Sequence, residues 1–211
     1  MAVSKIARNT ALGIGGYMAI LSLARKWHLR WGATDDELKQ PLPGDELMAY
    51  ASATHAITIN APAEAVWPWL VQIGQNRAGF YSYTFLENLI AADIHNANRI
   101  VPEWQNLKVG DKVRLATGKV YGDFPLLPVV ALEPYRHLVL KGWGAFVLKP
   151  INAHTTRLII RSHGQPEESI TKKALDFLIF EPIHFIMERR MLLGIKERAE
   201  REYQTVSGNM M

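Results

Sequence analysis

Cysteine is absent from the 211 residues, which excludes disulfides, a thiol nucleophile and any thiolate metal site while leaving the compartment open. The chain also lacks an apolar run suited to a clean membrane crossing. Between Arg8 and Arg25 lie 16 uncharged residues, about 24 Å of helix against a hydrocarbon core of about 30 Å. Acidic residues are missing from positions 1–31, which carry Lys5, Arg8, Arg25, Lys26 and Arg30. The net charge of +4 is therefore an N-terminal excess, and the remaining chain has 19 basic residues against 20 acidic ones. By charge the body is not a nucleic-acid binder. The seven histidines form no i, i+4 pair and no HExxH, so no metal site is expected. There is no GxSxG elbow and no P-loop. Gly13-Ile14-Gly15-Gly16 matches a dinucleotide fingerprint poorly, with no strand before it, and no cofactor is expected.

With 48% hydrophobic residues the chain can bury one sizeable core. Residues 9–31 read as a peripheral or partly inserted membrane anchor, because Trp27 and Trp31 stand beside basic residues and Gly13, Gly15 and Gly16 weaken a helix in water. Two alternatives stand: a helix packed on the protein's own body, and a cleaved signal with Ser22 and Ala24 at its site. Arg25, Lys26 and Arg30 directly afterwards argue against export. The expected location is cytoplasmic, or peripheral and anchored at a membrane.

Residues 32–53, with three consecutive acids, two prolines and two glycines, read as a linker with a domain boundary near 53. A short strand follows from His55, with Ile57 and Ile59 on its buried face. A helix then begins at Pro62, with Val66, Trp69, Leu70 and Ile73 at helical spacing and a break or kink expected at Pro68. Thr84 and Glu87 have capping-box spacing ahead of a second short helix. The runs DKVRLA, LPVVALE, HLVLKGW, AFVLKP and TTRLIIRS alternate as strands at hairpin intervals. From Ser169 to about Tyr203 the pattern is helical, broken or restarted at Pro182. His184, Met187, Met191, Ile195 and Ala199 form its apolar stripe, while Glu188, Arg189 and Arg190 read as a solvated or salt-bridged face. Glu197 with Arg201 and Arg198 with Glu202 have the spacing of ion pairs on the wet side.

The order is thus strand, two helices, antiparallel strands and one long C-terminal helix, in an α+β chain. Both this order and the stretches ITINAPAEAVWPWLVQIGQ, GFYSYTFLENL, DIHNANRIVPEWQNLKVGDKV and EPIHFIMERRMLLGIK resemble the START-like or SRPBCC superfamily, in its bacterial polyketide cyclase or dehydrase-like branch. The resemblance runs over residues 54–203. It implies a helix-grip fold over 54–205, a curved antiparallel sheet wrapped around the C-terminal helix, with residues 1–31 as an extra N-terminal helix. It also implies a cavity for an apolar small molecule or lipid, and it carries no settled reaction.

Candidate lining residues are Trp69, Phe80, Tyr81, Tyr83, Trp104, Trp143, His184, Met187 and Met191, which offer polarisable or amphipathic surfaces. The same residues also read as plain core, which such a stripe more often is. Chemistry, if any, falls to Asp93, His95 and Glu103, since a histidine beside a carboxylate suits acid-base work on an aromatic or polyketide-like substrate. Against this stands a loop tied down by Arg99 paired with a carboxylate. His163 and His184 read as hydrogen-bonded structural histidines. Binding or transport of a hydrophobic molecule at a membrane surface is the leading expectation, with the enzyme as its alternative.

Overall fold

The computed structural model describes residues 2–47, 50–122, 126–164 and 169–208. Its centre is a six-stranded antiparallel sheet in the order β1-β6-β5-β4-β3-β2, made of β1 Tyr50–Ile59, β2 Lys112–Arg114, β3 Leu126–Glu133, β4 His137–Leu140, β5 Gly144–Asn152 and β6 Thr155–Gly164. Helices α1 (Ala2–His28) and α2 (Asp35–Lys39) precede the sheet, and α3 (Ala63–Val71) and α4 (Thr84–Leu89) follow its first strand. The short helix α5 (Gly118–Tyr121) lies between β2 and β3, and α6 (Ile170–Leu175) leads through a π-helical segment, Asp176–Phe180, into α7 (Glu181–Gly208). The layout is α+β with an open antiparallel sheet and a long C-terminal helix.

Period-two alternation divides the strands between two apolar layers. Ile57, Ile59, Phe146, Leu148, Leu158 and Ile160 face α3 and α7 and join Met191, Leu192 and Ile195 in the main core. Ala56, Val139, Ala145, Val147 and Ile159 face the other way, onto Leu42. Residues 32–47 are therefore not a free linker. They form a strap across the second face of the sheet, started by a capping box in which Thr34 and Glu37 satisfy each other's backbone N–H groups. Arg157 pairs with Glu37 at 2.7 Å, and Arg161 with Asp45 at 2.6 Å. Arg161 also donates to the carbonyls of Glu37, Leu38 and Gln40. Gly32 stays in the left-handed region at φ +73°, where a Cβ would collide with the Ala56 carbonyl. The expected boundary near 53 falls inside β1, which starts at Tyr50 rather than His55.

Both interior prolines are accommodated. Helix α3 runs unbroken through Pro68, and the residue deprived of a partner, Glu64, lies at its exposed start. Ahead of Pro182 the chain widens to π spacing, with Glu181 N–H bonded to the Asp176 carbonyl. Leu178, four residues before Pro182, has its carbonyl satisfied by the Tyr17 hydroxyl at 2.8 Å. Tyr17 belongs to one stripe of α1, with Leu21, Arg25 and His28, that docks on the π segment and the start of α7. Arg25 and His28 both bond Glu181, and Trp27 meets Phe185 edge-on. The rest of α1 stands out of the body, with Ile6, Leu12, Ile14, Ile20 and Leu23 exposed. No helix among the described residues is long and apolar enough to cross a membrane.

Candidate functional site

Between the inner face of the sheet, α4 and the first turns of α7 lies a cavity of about 690 Å³. Phe80, Ile94, Leu115, Trp143, Met187 and Met191 supply apolar walls. Its rim includes Tyr50, Ile90, Phe180 and Ile183, all exposed, so the mouth is greasy as well as the interior. That size and character suit a small organic ligand.

One end of the cavity carries a buried charge centre. Glu188, 2% exposed on α7, accepts from His55 Nδ1 at 2.6 Å, Trp143 Nε1 at 3.0 Å and the Ser162 hydroxyl at 3.2 Å. His184, one turn earlier on the helix, stands 3.4 Å from the same carboxylate. Burial opposes the Glu188 charge, but His184, His55 and the Trp143 N–H outweigh it and hold the carboxyl down at about 2. The second ring nitrogen of His55 lies 2.7 Å from the His28 carbonyl, which can only accept. Both ring nitrogens thus face acceptors, a geometry that suits imidazolium. Burial works against that charge as well, yet the Glu188 carboxylate and the His28 carbonyl raise the His55 pKa. The chain His28 carbonyl, His55, Glu188 ties the end of α1 through β1 to α7.

A second carboxyl on the cavity is treated differently. Glu87 on α4 is 3% exposed, and its Oε2 has no hydrogen-bond partner among the described residues. Burial alone pushes it up to about 7. The expected capping box fails to form: Tyr83 occupies the cap position without a side-chain bond, and the Thr84 hydroxyl accepts from Asn96 instead. Glu87 is left in the cavity lining without that bond. His163 borders the cavity through its strand, but its ring turns to the other face of the sheet, where Nε2 lies buried beside Gly44 of the strap without a partner among the described residues, and burial lowers its pKa.

Of the residues selected from the sequence, Phe80, Trp143, His184, Met187 and Met191 line the cavity. Trp69 and Tyr81 do not; they are fully buried and packed edge-on, with the Tyr81 hydroxyl bonded to the Trp69 carbonyl at 3.1 Å. Trp104 packs half-buried on the main core, and Tyr83 lies at the surface beside Phe85. His95 and Asp93 form a pair at 3.1 Å, but their side chains are 80% and 54% exposed. Glu103 is exposed too, and none of the three borders the cavity. Arg99 makes no ion pair among the described residues. Amides secure the loop instead: Asn96 accepts from the Phe80 and Tyr81 N–H groups, Asn88 brackets Ile94, and Gln72 donates to the Arg99 carbonyl.

His55 and Glu188 were legible in part. Counting back two residues from Ile57 places His55 on the buried face of β1, and Glu188 follows His184 by four and precedes Met191 by three, inside the apolar stripe. Of the expectation that Glu188 is solvated or salt-bridged, the first half is corrected by its burial, while the pair with His55 fits the second; charge type was given more weight than helical position. Arg190 does lie on the wet side, but it reaches Glu197 at 2.8 Å, seven residues on, and Arg198 reaches the Ala97 carbonyl, so the expected Glu197–Arg201 and Arg198–Glu202 pairs are not the ones formed. No group of three or more His, Asp or Glu side chains among the described residues is placed to hold a metal ion.

No family model matches the chain, and no curated protein does. Among solved structures, a conserved protein of unknown function from Enterococcus faecalis is similar over 75% of this chain and 85% of its own, at 14% identity and a TM-score of 0.37.

Proposed function

We propose that the chain is a START-like helix-grip domain that binds a hydrophobic small molecule or lipid in the cavity between sheet and α7, at a membrane surface. The observation that carries the reading is the cavity itself, about 690 Å³ with apolar walls and an apolar mouth. A protein that needed only a filled core would close such a space, because packing voids cost stability. Support for the membrane comes from the exposed Ile6, Leu12, Ile14, Ile20 and Leu23 of α1 together with Phe180 and Ile183 at the mouth. Lys5, Arg8 and Lys26 add the positive charge that anionic headgroups attract. A carrier resting there meets an apolar ligand at the high concentration the bilayer maintains.

Flotation of the full chain with anionic vesicles, followed by re-isolation, native mass spectrometry and organic extraction, tests this reading. The expected result is co-flotation and an apolar compound released in stoichiometric amount. A chain that neither floats nor carries any extractable compound overturns it. No observation favours the enzymatic alternative through His95, whose imidazole stands in solvent.

A further inference from the structure

We infer that Glu87 selects the ligand: the cavity takes an apolar molecule that bears a positively charged amine, and the ligand's ammonium pairs with the Glu87 carboxylate. The inference rests on the apolar-ligand reading above and adds the chemical class.

Among the described residues the lining contains Glu87, Asp176, Glu181 and Glu188 and neither lysine nor arginine. Its acids are not equivalent. Glu188 is saturated by His55, Trp143 and Ser162, and Glu181 is held by Arg25 and His28. Asp176 acts electrostatically on Arg25. Glu87 has no such partner among the described residues: its buried Oε2 is unbonded, and burial is what raises its pKa. A carboxyl taken out of water without a donor is costly, and an ammonium brought in by the ligand offsets that cost more than any neutral group does. The aromatic walls accept a cation as well, since Phe80 and Trp143 lie together in the lining with ring centroids 5.6 Å apart. An anionic amphiphile such as a fatty acid meets the same sign of charge and no basic side chain to receive it.

The ionisable groups sharing the cavity are His55, His163, His184, Asp176 and Glu181, besides Glu188. His55 is committed to Glu188 and the His28 carbonyl, so it does not serve Glu87. Binding of an ammonium therefore strengthens as Glu87 ionises. Binding of a neutral acceptor, which needs the protonated acid as donor, weakens over the same range.

The test is calorimetric titration of the full chain with decylammonium, decanol and decanoate, each below its aggregation concentration. At pH 7.5 decylammonium is expected to bind at least about tenfold more tightly than decanol, with decanoate weakest. From pH 6 to pH 8 its affinity should rise by about tenfold, following the ionised fraction of an acid that titrates at about 7. In Glu87→Gln the preference for decylammonium over decanol should shrink to within about threefold. Should that variant fail to fold, the pH series on the unaltered chain decides alone. Equal binding of all three compounds, or a decylammonium affinity that stays flat or falls from pH 6 to pH 8, overturns this inference while leaving the apolar-ligand reading standing. If none of the three binds, the apolar-ligand reading fails and this inference falls with it.

Discussion

Two glutamates on the same cavity, Glu188 and Glu87, are 2% and 3% exposed, yet one titrates at about 2 and the other at about 7. Burial does not separate them; the supply of donors does. Glu188 sits where β1, β6, the turn before β5 and its own helix each contribute a group, so its charge is compensated and its lone pairs are used. Glu87 sits on the short helix α4, and its acid group finds no donor among the described residues. The first arrangement is a closed structural joint, with nothing left to offer a ligand. The second leaves an unused acceptor at a cavity wall, which is how a binding group differs from a structural one.

The sharpest way to break this comparison is to delete each acid. Glu188→Ala strands a buried imidazolium and the Trp143 N–H without an acceptor, and the expected loss is about 3 to 5 kcal/mol in urea unfolding at neutral pH. Glu87→Gln removes a carboxyl that nothing holds and should leave stability unchanged or raise it. Equal losses from the two variants would mean that Glu87 has a partner in solution and that the contrast is false.

The pH profile offers a second separation. Glu188 has a lowered folded pKa, so its contribution is present above its ordinary value near 4.5 and disappears as pH falls toward 2. Glu87 has a raised one. The folded chain holds that proton more tightly than the unfolded chain, so stability is lost as pH rises from about 4.5 to about 7. The loss should amount to about 1 to 3 kcal/mol, toward the lower figure if water enters through the open mouth. Glu87→Gln should abolish it. His55, whose pKa is raised, contributes stability below about 6.5 that fades as pH rises through its folded value, so a decline above neutrality should persist in the variant. Urea midpoints measured from pH 3 to pH 9 on both proteins check the assignment.

Much of the architecture follows from periodicity. The strands β2 to β6, the α4 region, the long C-terminal helix and its stripe through His184, Met187 and Met191 stand where alternation and helical spacing put them. Patterns of charge and spacing misled where tertiary partners decide. The strap at residues 32–47 reads as a linker because only Leu42 among its side chains is a buried hydrophobe, and what fixes it is Arg157 and Arg161 reaching across from β6. Asp93, His95 and Glu103 look like chemistry because they are close in sequence, yet their loop turns them outward and Asn88, Asn96 and Gln72 secure the backbone beneath. The real charge centre joins His55 and Glu188, which are 133 residues apart. No local window contains both, and only the shared buried face of β1 and α7 marks them.

The smallest expected effect concerns how many donors Glu188 needs. Ser162 gives it the longest of its three well-formed hydrogen bonds, at 3.2 Å, and shares Oε2 with Trp143. Ser162→Ala removes that donor without introducing charge or bulk, and leaves His55 and Trp143 in place. A hydrogen bond to a charged group contributes about 1.5 to 3 kcal/mol, and at 3.2 Å this one belongs at the lower end, so the urea midpoint should drop by less than in Glu188→Ala. The acid limb should shift by a small amount in the same variant, because a carboxylate with one donor fewer is protonated more easily. A drop as large as that of Glu188→Ala would mean that the joint acts as one cooperative unit, in which the hydroxyl fixes the carboxylate for both other donors. The graded loss expected instead keeps the comparison quantitative: full saturation at Glu188, partial saturation in Ser162→Ala, and none at Glu87.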